Sequence, residues 1–123
     1  MIDPRKMPGC AKTMFNDQLT VVVAGGQDQD RELKSVEMIS LDINANQVST
    51  WKKLGDLNYA RSYFPSVGII DSSLIVTAGK LTDESGKHSV EKFQNGTWRV
   101  WDAIQLRTPK SSHSTVRVTQ EWC

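Results

Sequence analysis

"DQLTVVVAGG" spans Asp17–Gly26 and "DSSLIVTAGK" spans Asp71–Lys80. Both begin with aspartate, run through β-branched residues and end at glycine. Nine residues beyond each stands Ser-Val-Glu, as Ser35-Val36-Glu37 and Ser89-Val90-Glu91. Asp17 aligns with Asp71, Val22 with Val76, Ala24 with Ala78, Gly25 with Gly79 and Glu37 with Glu91, all 54 residues apart. Gly26 then meets Lys80. Thr50-Trp51 recurs as Thr97-Trp98, so the second copy is shorter between Glu and Trp. Leu57, Arg61, Ser62 and Val67 recur as Leu106, Lys110, Ser111 and Val116, a third register. Self-similarity at a period near 50 residues marks a repeat architecture.

Each copy reads as strands. "LTVVVAGG" and "LIVTAG" are apolar runs closed by glycine, as buried central strands are. "SVEMISLD" and "SVEKFQ" follow as third strands. Asn95-Gly96 is a hairpin turn signal ahead of the Trp98 strand, and the first copy uses a longer connection there. "RSYFPSVGII" supplies a strand ahead of the second glycine strand. No stretch carries a helical pattern. The unit is four antiparallel, meandering strands with a tryptophan in the last.

These features resemble the kelch repeat. The resemblance rests on the runs into Gly25-Gly26 and Gly79, the apolar third-strand position (best matched by Phe93), and Trp51 and Trp98. "LNYARSYFPSV" is similar to the lead-in between repeats. Membership implies a β-propeller with one repeat per blade. The expected fold class is all-β: two four-stranded antiparallel blades plus one extra strand, an incomplete propeller. Residues 7–54 form the first blade, 55–104 the second, and 105–123 begin a third. Gly25, Gly26, Gly79, Trp51, Phe93 and Trp98 are read as structural. Glycine allows close backbone approach and the rings pack between blades. Two blades do not close a ring of four to eight. Three readings stay open: a fragment of a longer protein (the favoured one), self-association through exposed blade faces, and an open pair of blades.

Composition limits the partners. The 123 residues carry 15 basic and 14 acidic side chains, net +1, so charge gives no reason to expect nucleic acid or an anionic membrane. No apolar run approaches a membrane span, and the start lacks a signal-peptide core. The expected location is cytoplasmic. Cys10 and Cys123 form no metal or redox spacing and read as two free thiols.

Meandering strands alternate their connections between the two ends of a sheet. Loops 27–34, 55–62, 81–87 and 102–110 therefore share one face. Kelch propellers bind partner proteins there, so the resemblance implies a partner-binding set of Arg31, Tyr59, Arg61, Asp83, Glu84, His88 and Arg107. Arg61 recurs as Lys110, which also suits a structural role. The expected function is noncatalytic protein binding, with substrate recognition for a cullin-based ubiquitin ligase among the family's roles. The competing expectation is a fragment of a propeller enzyme, oxidase- or sialidase-like. Against it, His88 and His113 lack metal-ligand spacing, and Tyr59 and Tyr63 form no copper-ligand set with them. No catalytic residue, metal or cofactor is expected.

Overall fold

The structure is a computed structural model that describes residues 1–86 and 89–105. It is all-β: among the described residues the one helical element is a short 3-10 turn, Glu84–Gly86. Strands β1 (Gly9–Phe15), β2 (Gln18–Ala24) and β5 (Ser35–Asp42) form the first sheet. Its fourth position is split between β6 (Gln47–Val48) and β7 (Lys52–Asp56), both paired to β5. A small hairpin of β3 (Gln27–Asp28) and β4 (Arg31–Glu32) leaves the end of β2. The second sheet runs β8 (Ser66–Ile70), β9 (Ser73–Thr77), β10 (Ser89–Gln94) and β11 (Thr97–Gln105). All pairings are antiparallel. The hairpin turns at Asn16-Asp17, Asp71-Ser72 and Asn95-Gly96 each place two residues at positive φ. That is the twist-matched turn that Asn, Asp and Gly accept most readily.

The sheets pack face to face. Ala11, Val22, Ala24 and Val36 of the first meet Val67, Leu74, Val76 and Trp98 of the second, with Leu57 of the connecting segment beside them. Phe93 lies at the edge of this core, 5.2 Å from the Trp98 ring and edge-on to Phe15 at 6.3 Å. Trp98 is 5 % exposed, and its Nε1–H donates to the Leu54 carbonyl at 3.0 Å. A buried indole needs such a partner, and here the partner is the last strand of the other sheet. Trp51, expected as its structural counterpart, is only half-buried. It lies on the side of the first sheet that faces away from the second.

The structural repeat departs from the sequence alignment at the glycines. Gly25 (φ 63) and Gly26 (φ 99) match Ala78 (φ 62) and Gly79 (φ 80) as consecutive left-handed residues. The bridge Lys6–Gln27 matches Ser62–Lys80. The aligned pairs are thus Gly25 with Ala78 and Gly26 with Gly79, one residue off the period set by Glu37 and Glu91. The first hairpin has seven-residue strands and the second five-residue strands, so the extra length displaces the aspartates and glycines in opposite senses. The reason for glycine is plain at Gly26 and Gly79. A Cβ would meet the Lys6 carbonyl at 2.7 Å in one and the Ser62 carbonyl at 2.7 Å in the other.

Cys10 is disulfide-bonded, so the expectation of a free thiol does not hold there. Cys123, the third-blade segment from 106 onward, His88 and Arg107 lie outside the described residues.

Candidate functional site

Arg61 is the first expected binding residue that the structure relocates. Its side chain is fully buried, and so is that of Glu91. The guanidinium donates Nε–H to Glu91 Oε2 at 3.1 Å and NH1 to the Ala78 carbonyl at 3.0 Å, with NH2 reaching Glu91 and the Ser89 hydroxyl. Glu91 also accepts the main-chain N–H groups of Asn58 and Tyr59. Burial pulls the Arg61 pKa below its ordinary value, opposed by the Glu91 charge. Arg61 is therefore a buried key between the sheets and offers nothing to a partner.

The same construction occurs once more, in residues that the sequence reading passed over. Arg5 NH1 donates to the Gly25 carbonyl at 2.8 Å and to the Ser35 carbonyl at 3.0 Å. Its NH2 bonds the Ser35 hydroxyl and Glu37, and both charged side chains are fully buried. Glu37 accepts the N–H groups of Ile2 and Asp3, three and two residues before Arg5. Asn58 and Tyr59 stand at the same steps before Arg61. The signal was present: a glutamate at the same point of both third strands, in a place that otherwise carries apolar residues. A spacing of 56 between the arginines, against 54 between the glutamates, kept the partner out of view.

Three of the four loops expected to share one edge meet there; of the fourth, 102–110, residues up to Gln105 belong to strand β11 and the rest lie outside the described residues. Hairpin 27–32, the connection after β7 and the segment after β9 meet around an open groove of about 320 Å³. Asp30, Glu32, Lys34, Asn58, Tyr59 and Asp83 line it, with Ala60 and Thr82 between them. Glu32 ties the sheets together there. Its Oε1 accepts the Ser62 hydroxyl at 3.2 Å, and its Oε2 accepts the Thr82 N–H at 3.0 Å and hydroxyl at 2.6 Å. Asn58 is held from behind, its side-chain amide donating to Glu91 and to the Trp98 carbonyl. Tyr59 is half-buried on the groove wall. Asp83 is exposed and accepts the Ser85 hydroxyl and N–H; these bonds, helped by Lys34, hold its carboxyl below the usual range.

Tyr59 and Asp83 are thus brought together. Arg31 stands beside the groove on β4, its side chain 79 % exposed and 3.7 Å from Asp28. Glu84 is exposed on the 3-10 turn. The remaining lining, Asp30, Glu32, Lys34 and Asn58, was not singled out from sequence. Alternating charges in "QDQDRELK" were the available sign, but turn composition explains them equally well. Among the described residues no group of three His, Cys, Asp or Glu side chains is placed to hold a metal ion, and no helix is long and apolar enough to cross a membrane. No protein-family model and no curated protein sequence matches this chain.

Proposed function

We propose that the two sheets are consecutive blades of a kelch-type β-propeller and that the chain binds a partner protein, without catalysis, through its loop edge. Two four-stranded meanders, each locked by a buried Arg–Ser–Glu set, support the propeller reading. The observation that carries the binding reading is the groove built jointly by loops of both sheets, braced across them by Glu32. A site that forms only when two repeats stack is rigidly held, and rigid placement lowers the cost of binding. Its wall combines a half-buried tyrosine with charged and amide groups, a composition suited to a polypeptide. Three carboxylates against one lysine disfavour a phosphate backbone. The partner's complementary feature is a basic side chain.

Selection of displayed random peptides on the folded chain tests this. The expected result is enrichment of sequences with Arg or Lys, with binding weakened about tenfold by Asp30→Lys and by Tyr59→Ala, on the scale of one good interface contact. Absence of enrichment, or binding indifferent to both variants while their circular dichroism is unchanged, overturns the reading.

A further inference from the structure

The β10–β11 hairpin closes through Gln94-Asn95-Gly96-Thr97, four exposed residues in a row. Asn95-Gly96-Thr97 has the pattern Asn-x-Thr with no proline between, the acceptor pattern for an N-linked glycan on a surface loop. None of the other four asparagines, Asn16, Asn44, Asn46 and Asn58, has Ser or Thr two residues on. Turn chemistry accounts for Asn95 and Gly96, which take φ 53 and 78. It places no demand on the Asn95 side chain, whose amide makes no hydrogen bond among the described residues. Asn58 shows the contrast, since its amide is held by Glu91 and the Trp98 carbonyl. A Cβ built on Gly96 would meet nothing within 4 Å, so the space around the turn is open. The Thr97 hydroxyl stays at the tip, 3.3 Å from the Gln94 carbonyl. A sugar on Asn95 would displace no part of the fold.

A second observation points to the same chemistry. Cys10 is disulfide-bonded, and disulfides form and persist in oxidising compartments and outside the cell. Those are the surroundings in which exposed Asn-x-Thr sites are glycosylated. We propose that Asn95 carries an N-linked glycan and that the chain matures in an oxidising secretory compartment, in place of the cytoplasm expected from composition. The donor is an oligosaccharide joined through an N-acetylhexosamine to a polyprenyl diphosphate. Asn95 Nδ2 bonds to the anomeric carbon of that sugar. The bond from the same carbon to the diphosphate oxygen breaks, and the lipid diphosphate leaves with the electron pair. One Nδ2 proton is released, and no oxidant or reductant takes part. The glycan leaves the loop groove open. Thr82 and Asp83 line that groove ahead of β10, and β10 reaches its turn at the opposite end of the sheet. The proposal does not rest on the binding reading.

The protein isolated from the organism that makes it supplies the test. It is treated in heavy-oxygen water with an amidase that releases N-linked glycans, then digested, and the peptide containing residue 95 is weighed by mass spectrometry beside an untreated sample. The amidase converts a linked asparagine to aspartate, so the expected result is a heavy-oxygen aspartate at 95 after treatment alone. Cys10 should accept an alkylating reagent only after reduction. Produced through the secretory route of a eukaryotic host, the wild type should run as a heavier band that the amidase collapses. Asn95→Gln and Thr97→Ala should each abolish that band with an unchanged β circular dichroism spectrum, and Thr97→Ser should keep it. Unmodified Asn95 in the native protein overturns the proposal. So does aspartate at 95 without heavy oxygen, which is spontaneous deamidation of the Asn-Gly pair, and so does a heavier band that survives Asn95→Gln. Alkylation of Cys10 without reduction overturns the compartment. If a variant fails to fold, the digest of the native protein still decides.

Discussion

Arg5 and Arg61 each join a buried glutamate, a serine hydroxyl and the carbonyl of a left-handed residue, yet they do different work. Arg61 closes on Glu91 between the two sheets, where the connection after β7, the glycine end of β9 and the start of β10 converge. Arg5 closes on Glu37 on the outward side of the first sheet, beside the main-chain N–H of Ile2. The motif repeats in its terminal guanidinium contacts to serine and glutamate but differs at Nε, which meets the Asp3 carbonyl in one and Glu91 in the other, and in what surrounds it. Removing Arg61 leaves a buried carboxylate that no water can reach without parting the sheets. Arg61→Ala should cost about 3–5 kcal/mol, the usual range for breaking one side of a buried pair. Arg5→Ala should cost at most about half as much, because among the described residues no second sheet packs over Glu37 on the outward side, and water reaches its carboxylate with a smaller rearrangement. Urea unfolding of both variants checks this. Equal losses would mean that the bonds alone, and not the packing around them, set the energy.

The tryptophans sharpen the same comparison. Trp98→Ala removes a ring that touches both sheets and orphans the Leu54 carbonyl. The expected loss is about 3–5 kcal/mol, as for other buried aromatics. Trp51→Ala in the single chain should cost about 1 kcal/mol, the central value for a substitution that opens no core cavity. Thermal melting at low concentration measures both. A large loss at Trp51 would place its ring inside a packed core.

Much of the fold was legible because its cause is local. Alternation in "SVEMISLD" and "SVEKFQ", the Asn95-Gly96 turn and Trp98 each report a strand or turn through their own residues, whereas Trp51 falls one residue ahead of β7. The shared loop edge followed from strand alternation alone. What could not be read was long-range pairing. Arg61 looked like a loop arginine because nothing near it in sequence announces Glu91. Arg5 was invisible because two residues of slippage separate its spacing from that of the glutamates. Glu32 bridges Ser62 and Thr82, at distances along the chain that no motif encodes. The glycine alignment failed for a physical reason as well. Sequence identity pairs Gly25 with Gly79, while backbone hydrogen bonding and φ pair Gly25 with Ala78.

That corrected pairing gives a contrast of its own. At Gly25 a Cβ would lie 2.3 Å from the Arg61 carbonyl, and left-handed backbone adds about 1–2 kcal/mol for any other residue. Gly25→Ala should therefore cost at least about 2 kcal/mol once overpacking is included. Ala78 already tolerates φ 62 with its methyl buried. Ala78→Gly relieves the strain but loses about 0.8 kcal/mol of methyl burial and a similar amount in unfolded-chain entropy. The net change should fall within about 0.5 kcal/mol of zero, since these contributions are comparable. Chemical denaturation of the pair tests it, and a costly Ala78→Gly would mean that the methyl group is needed for packing.

The smallest effect belongs to the two loops that flank the groove. The first sheet's loop is a β-hairpin whose turn, Gln29-Asp30, is set by left-handed backbone. The second sheet's loop is set by one exposed carboxylate, Asp83, through Ser85. The folded pKa of Asp83 lies below its ordinary 3.8. Its turn is thus supported at and above that value and loses the support as pH falls through the lower, folded pKa. The Ser85 amide resonance should titrate with a midpoint below 3.8. Screening at a fully exposed site keeps the global melting temperature unchanged by this group. A Ser85 midpoint at or above the ordinary carboxylate value would show that the Asp83 bonds do not persist in solution, and with them would go the ordered second wall of the groove.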